Sequence, residues 1–167
     1  MNLIHKSFRH GQNFKIGSFC VIEADVEVGD NVSISNYVML QKGTKIGNDV
    51  HIGPYFRSGG RDVIGNNVTI KIRSTSSPDV MIGDRAFLGP HSLLLHDTRQ
   101  GVHTPCGLEE DAYIGGGATV MPGVLVGKGA TVGVGAVATH DVPDGKTVVG
   151  IPASDHLTAI ARRRLNL

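Results

Sequence analysis

Between Ile16 and Ile52 the chain reads IGSFCVIEADVEVGDNVSISNYVMLQKGTKIGNDVHI, and every sixth residue (Ile16, Ile22, Val28, Ile34, Leu40, Ile46, Ile52) is aliphatic. The count runs on through Ser58, Ile64, Ile70, Ser76, Ile82 and Leu88 to Leu94, so twelve of fourteen positions are aliphatic. Four places further along most hexads stands a small or β-branched residue: Cys20, Val26, Val32, Val38, Thr44, Val50, Val68, Val80, Ala86. No amphipathic helix has this period. A sustained repeat of six is the signature of an all-β solenoid, a parallel β-helix in which each hexad supplies a short strand and a turn. Three hexads close one triangular coil, and coils stack at about 4.8 Å, the ordinary strand spacing.

Working outward from that stretch, the first coil is expected to begin near Ser7, with Phe14 already facing inward. The period fills most of the 167 residues, which leaves room for one repeat domain, residues 1–154, and a tail, residues 155–167. In the tail Leu157, Ile160, Ala161 and Leu165 recur at helical spacing, with Asp155 placed to cap a short helix and Arg162, Arg163 and Arg164 in its last turn. Many of the 23 glycines follow the inward aliphatic, where this reading assigns them to corners that need permissive dihedrals. With 16 Lys and Arg against 15 Asp and Glu, and no basic stripe, the composition argues against nucleic acid as a partner. No stretch reaches the roughly 20 apolar residues of a membrane span, and the start MNLIHKSFRH lacks an apolar core, so a cytosolic protein is expected. Cys20 and Cys106 are read as free thiols.

The informative places are those where the pattern weakens. Ser58 and Ser76, the two non-aliphatic inward sites, and Leu94, where the run ends, are eighteen residues apart, one coil each. On that face successive coils read SGGRDV, SSPDVM and LLHDTR, so Gly60, Pro78 and His96 align, as do Arg61, Asp79 and Asp97. Polar and ionisable groups concentrate there while the other two faces stay regular, the look of a binding site on a repeat scaffold. After His96 the register breaks, and an excursion loop over about 97–107, containing His103, is expected to leave the coil. The repeat resumes in a new phase with Leu108, Ile114, Val120, Val126, Val132 and Ala138.

These residues resemble a known family, the left-handed β-helix hexapeptide acyltransferases, and most of all its acetyl-CoA-dependent sugar and nucleotide-sugar N- and O-acetyltransferases. The block IGGGATVMPGVLVGKGATVGVGAVATHDVP followed by VVGIPAS is similar to the family's upper coils, where coenzyme A lies between subunits of a homotrimer. The resemblance implies that Gly117, Ala118, Ala136, Thr139 and Pro152 flank the coenzyme. It leaves Arg162 to stand in for phosphate contacts, because His140 and Ser154 replace lysines common in the family. Leu94-Leu95-His96-Asp97 resembles the motif in which a His is general base and its acidic neighbour belongs to the same site; His103 is the other candidate base. Such a base removes a proton as the acceptor's amine or hydroxyl attacks the thioester, and main chain at Gly115 to Gly117 is a candidate donor to the oxyanion. Arg61 and Asp79 are expected to bind the acceptor, and no metal is expected. Two other readings compete. A zinc enzyme like the γ-class carbonic anhydrases would use His91 and His96 with a third ligand such as His51; a non-catalytic solenoid would serve as an assembly module.

Overall fold

In the computed structural model, which describes residues 1–155, two-residue strands fall on the six-residue grid from Leu3–Ile4 to Val137–Ala138. Each pairs in parallel with the strand one coil away, Leu3 with Val21, Val63 with Met81, Thr69 with Phe87, a register of eighteen residues. Three faces result. The first carries Val21–Ile22, Thr75–Ser76 and Leu93–Leu94, the second Lys45–Ile46, Val63–Ile64 and Met81–Ile82, the third His51–Ile52, Thr69–Ile70 and Phe87–Leu88. In each strand the second residue points inward: Ile22, Leu40, Ile52, Ile64, Ile70, Ile82, Leu88 and Ile114 are fully buried. Each such side chain contributes roughly 1.5–3 kcal/mol on burial, and this ladder is the hydrophobic core.

The first coil starts at Leu3, which pairs with Val21, and not near Ser7. Leu3 and Ile4 are exposed because no coil lies beneath them, so their apolar character gave no sign of a buried strand. The glycines also serve differently from the expectation. Those after the inward aliphatic do not take left-handed dihedrals; they make room for the coil above. At Gly65 a Cβ would lie 2.3 Å from Asp84 Oδ1, the atom that accepts a hydrogen bond from Asn66 N at 2.7 Å. Left-handed φ belongs to the corners, where Asn13, Tyr37, Arg61, Asp79 and Arg85 adopt it in the lower coils and Gly117, Gly123 and Gly129 in the upper ones.

On the first face Leu93 pairs with Thr119, eight residues further than one coil requires. The surplus leaves after Leu94 and returns at Gly107. Asp97 and His103 form an antiparallel bridge, Thr98 N donates to Val102 O at 3.1 Å and Thr104 N to His96 O at 2.6 Å, so the excursion is a small hairpin standing on the corner between the first and second faces. At the top, Thr147–Val149 pairs antiparallel with Ser154–Asp155. Asp155 sits in that strand; the helix expected beyond it, with Arg162, lies outside the described residues.

Candidate functional site

Beneath the hairpin the core is polar. Ser58 and Ser76 point inward and are buried, and so is Asp62, which stands in the column of small and β-branched residues between Thr44 and Val80. Asp62 Oδ2 accepts from Gly59 N at 3.0 Å and Ser76 Oγ at 2.6 Å, and Oδ1 from Val80 N at 3.2 Å. Burial pushes its carboxyl up to about 6, against the pull of the Ser76, Gly59 and Val80 hydrogen bonds. Ser58 Oγ meets Thr44 Oγ1 at 2.9 Å and accepts from Gln41 N at 2.8 Å. The carboxylate ties together two successive corners, residues 59–61 and 79–80. The first is drawn so close to the next coil that a Cβ at Gly59 would lie 2.1 Å from the Ser77 carbonyl carbon. Sequence reasoning passed over Asp62; the signal available was a carboxylate at a grid position otherwise filled by Val or Thr.

Outside, those two corners carry Arg61 and Asp79. Arg61 donates through Nε to Asp79 Oδ1 at 2.7 Å and through Nη2 to Oδ2 at 2.6 Å, and this guanidinium holds the Asp79 carboxyl below its ordinary value. Arg85 and Asp111 repeat the bidentate pair at another corner, at 2.8 and 2.9 Å. With Arg61 66% exposed, solvent screens the pair, and it serves only as a staple between neighbouring corners.

What distinguishes the Arg61 corner is the ring that the hairpin brings down on it. His103 Nε2 lies 2.7 Å from Asp79 Oδ2, its Nδ1 3.3 Å from Asp97 Oδ1, and His96 Nε2 3.2 Å from Asp97 Oδ2. The two imidazoles meet edge to face at 5.1 Å. Arg61 and Asp79 thus stack as the period predicts, whereas Asp97 is carried outward by the hairpin and reaches Asp79 only through His103. Both nitrogens of His103 face carboxylates, and both donate only when the ring carries two protons. His96 Nε2 faces Asp97 Oδ2 at 3.2 Å without a hydrogen bond, and Nδ1 has no hydrogen-bond partner among the described residues. Beside the hairpin a cavity of about 450 Å³ opens on the second face, lined by Asp79, Met81, Pro105, Leu108 and Leu125.

The residues expected to flank the coenzyme do not form one site within this chain. Gly117 occupies the corner between third and first faces, with no neighbour within 4 Å of a Cβ placed there. Ala118 and Ala136 point inward and are fully buried, and their carbonyls accept from Leu93 N and Thr119 N. Thr139 is exposed after Val137–Ala138, two coils above His96 and at the same end of the first face; Pro152 is exposed near the top. Within the Gly115 to Gly117 stretch expected to face an oxyanion, the Gly115 and Gly117 N–H groups donate to Val132 O and Pro90 O, each at 2.7 Å, so the coil has already used these two. His51 bonds Ser33 at 2.8 Å on the third face, and His91 sits at the corner where the first-face strand begins, so neither joins His96.

Comparison with known proteins agrees with this geometry at the level of the repeat. The family model described as bacterial transferase hexapeptide (six repeats) matches residues 9–42. The chain has the fold of a parallel β-helix built from hexapeptide repeats. It is 48% identical over 50 residues to a 2,3,4,5-tetrahydropyridine-2,6-dicarboxylate N-acetyltransferase of Clostridium perfringens, a match over 30% of this chain and 21% of that protein. The chain covers less than half the length of the curated relatives it matches. Two solved structures share the fold. The acetyltransferase domain of PglB from Neisseria gonorrhoeae, in complex with acetyl coenzyme A, has a TM-score of 0.54 at 24% identity, over 92% of this chain and 57% of that one. A point mutant of the N-acyltransferase AntD from Bacillus cereus, in complex with dTDP-4-amino-4,6-dideoxyglucose and coenzyme A, has 0.60 at 18% identity, over 99% of each. Among the described residues of this hexapeptide-repeat protein no helix is long and apolar enough to cross a membrane.

Proposed function

We propose that this protein transfers an acetyl group from acetyl-CoA to the amine of a sugar, nucleotide-linked or free, as a homotrimer. The observation that carries the reading is the pairing of His96 with Asp97 at the foot of the hairpin, with one imidazole nitrogen uncommitted. With Asp97 Oδ2 3.2 Å from Nε2, the carboxylate favours a proton on that nitrogen, and the Nδ1 lone pair accepts a proton from the acceptor nitrogen. That nitrogen attacks the thioester carbonyl carbon, the C–S bond breaks as the tetrahedral adduct collapses, and the coenzyme thiolate leaves and takes up a proton. His103 serves less well as base, because both of its nitrogens face carboxylates. Asp79 and Arg61 line the acceptor's approach, where a carboxylate draws in a protonated amine. Gly117, Thr139, Pro152 and Arg162 are assigned to the coenzyme, with Ala118 and Ala136 as the wall behind it. The relatives' acetyltransferase names and the coenzyme and amino-sugar ligands of the compared structures support the donor and the acceptor class.

The test is release of free thiol from acetyl-CoA with a panel of amino sugars, nucleotide-linked amino sugars and hydroxylated sugars. At least one amine should support turnover, and His96→Asn should lower kcat by roughly 10²- to 10⁴-fold, the usual span for loss of a general base. No thiol release with any acceptor would overturn the transferase reading. Unchanged turnover in His96→Asn would move the base elsewhere.

A further inference from the structure

The hairpin gathers more ligand chemistry than one proton transfer uses. His96, His103 and Asp97 each offer one ligand atom, and all three atoms lie within 4.8 Å of one another. His96 Nε2 lies 3.2 Å from Asp97 Oδ2 and His103 Nδ1 3.3 Å from Oδ1; each separation is near the roughly 3.3 Å between two ligands that sit 2.0–2.1 Å from one tetrahedral ion, but they run to different oxygens, so ligation draws the two rings together. Behind His103, Asp79 Oδ2 accepts from Nε2 at 2.7 Å. This is the carboxylate–imidazole arrangement that fixes a ligating ring and raises its basicity. Asp79 is itself held by both arms of the Arg61 fork, so the ring is oriented from the solenoid. Two imidazoles and one carboxylate, with the side chains 24%, 46% and 50% exposed, leave room for water at a fourth position and suit a borderline-soft ion such as zinc or cobalt.

We propose that His96, His103 and Asp97 form a binding site for one divalent first-row transition ion, with Asp79 as the outer partner that positions His103. Ligation takes up a His96 nitrogen and so occupies the imidazole proposed as base. Bound metal and acetyl transfer therefore exclude each other. That last consequence rests on the transferase reading; the metal site does not.

The experiment titrates the full chain with cobalt(II) and follows the visible d–d absorption of four-coordinate cobalt, with zinc added afterwards as competitor. The wild type should saturate at one cobalt per chain and lose the band to zinc. His103→Ala and His96→Asn should lose the band, and Asp79→Asn should keep it with affinity roughly 10- to 100-fold weaker, the usual cost of an outer partner. Circular dichroism checks that each variant folds; should His103→Ala fail, the other two still decide the question. No band in the wild type, or an equal band in both His variants, as surface histidines such as His5 and His10 would give, overturns the site. Binding without any effect on thiol release would support the site and count against His96 as the base.

Discussion

Asp62 is the residue whose environment departs furthest from what its side chain prefers. It is fully buried, takes three hydrogen bonds from neutral donors, and among the described residues has no cation inside the coil to meet its charge. Its carboxyl titrates at about 6 in the folded protein against 3.8 for an ordinary aspartate, so between these values the folded chain holds a proton that the unfolded chain has released. The sign follows: protonation of Asp62 favours folding, and the contribution, full below about pH 4, is lost as pH rises through 6. At about 1.4 kcal/mol per tenfold in acidity, the loss is about 3 kcal/mol. Asp62→Asn removes this titration. The stability of the wild type relative to Asp62→Asn, measured by urea unfolding, should therefore grow by roughly 2 kcal/mol from pH 7 to pH 4. A difference that stays level over that range would contradict the placement of Asp62. In the sequence Asp62 was visible only as an unexpected letter on the hexad grid. The bonds to Ser76 and Val80 that give it meaning cross from one coil to the next.

At the scale of elements, the coil and the hairpin were legible to different degrees, for a physical reason. A coil is periodic, and each inward side chain rests on its equivalent eighteen residues away, as Ile52 does on Ile34 and Ile70, so counting finds it. The hairpin was readable as a break in the count, but not in shape, because its docking rests on contacts such as His103 with Asp79 and Gly123 N with Thr104 O at 2.8 Å, to which no spacing rule applies. The glycines illustrate the same limit: their positions were periodic, but whether they served φ or close approach was decided by the next coil, through an Asx side chain at Gly65 and through main chain at Gly89. The contrast has a measurable consequence. One residue inserted between Ile46 and Ile52 turns inward side chains outward, each worth roughly 1.5–3 kcal/mol. One inserted between Gln100 and Thr104 lengthens a solvent-exposed turn, at a cost of a few tenths to about 1 kcal/mol. Thermal midpoints of the two variants should differ widely in that order; equal losses would contradict the boundary between coil and hairpin.

For the whole molecule, the outer surface of the second face changes character along the solenoid. Lower coils present Arg9, Glu27 and Lys45, whereas higher ones present Val63, Met81, Gly107 and Leu125. Val63, Met81 and Leu125 are 46%, 64% and 44% exposed and succeed one another along the axis. Their edge is charged, with Glu110 paired to Lys128 at 2.5 Å. An apolar strip rimmed by ion pairs is the composition of a protein interface, and this one adjoins the cavity beside His103 that Asp79, Met81 and Leu125 line. A second subunit laid on it would wall the site that one triangular coil leaves open, which is the physical case for the proposed homotrimer. Met81→Glu places a charge at the middle of the strip, on the outer side of the strand whose Ile82 points inward. It should lower the solution mass from three chains to one in sedimentation at micromolar concentration, abolish thiol release, and leave the circular dichroism of the coil unchanged. A wild type already monomeric under those conditions would remove the trimer. A Met81→Glu variant that stays trimeric would remove the second face as its interface and leave the site to be closed from another side.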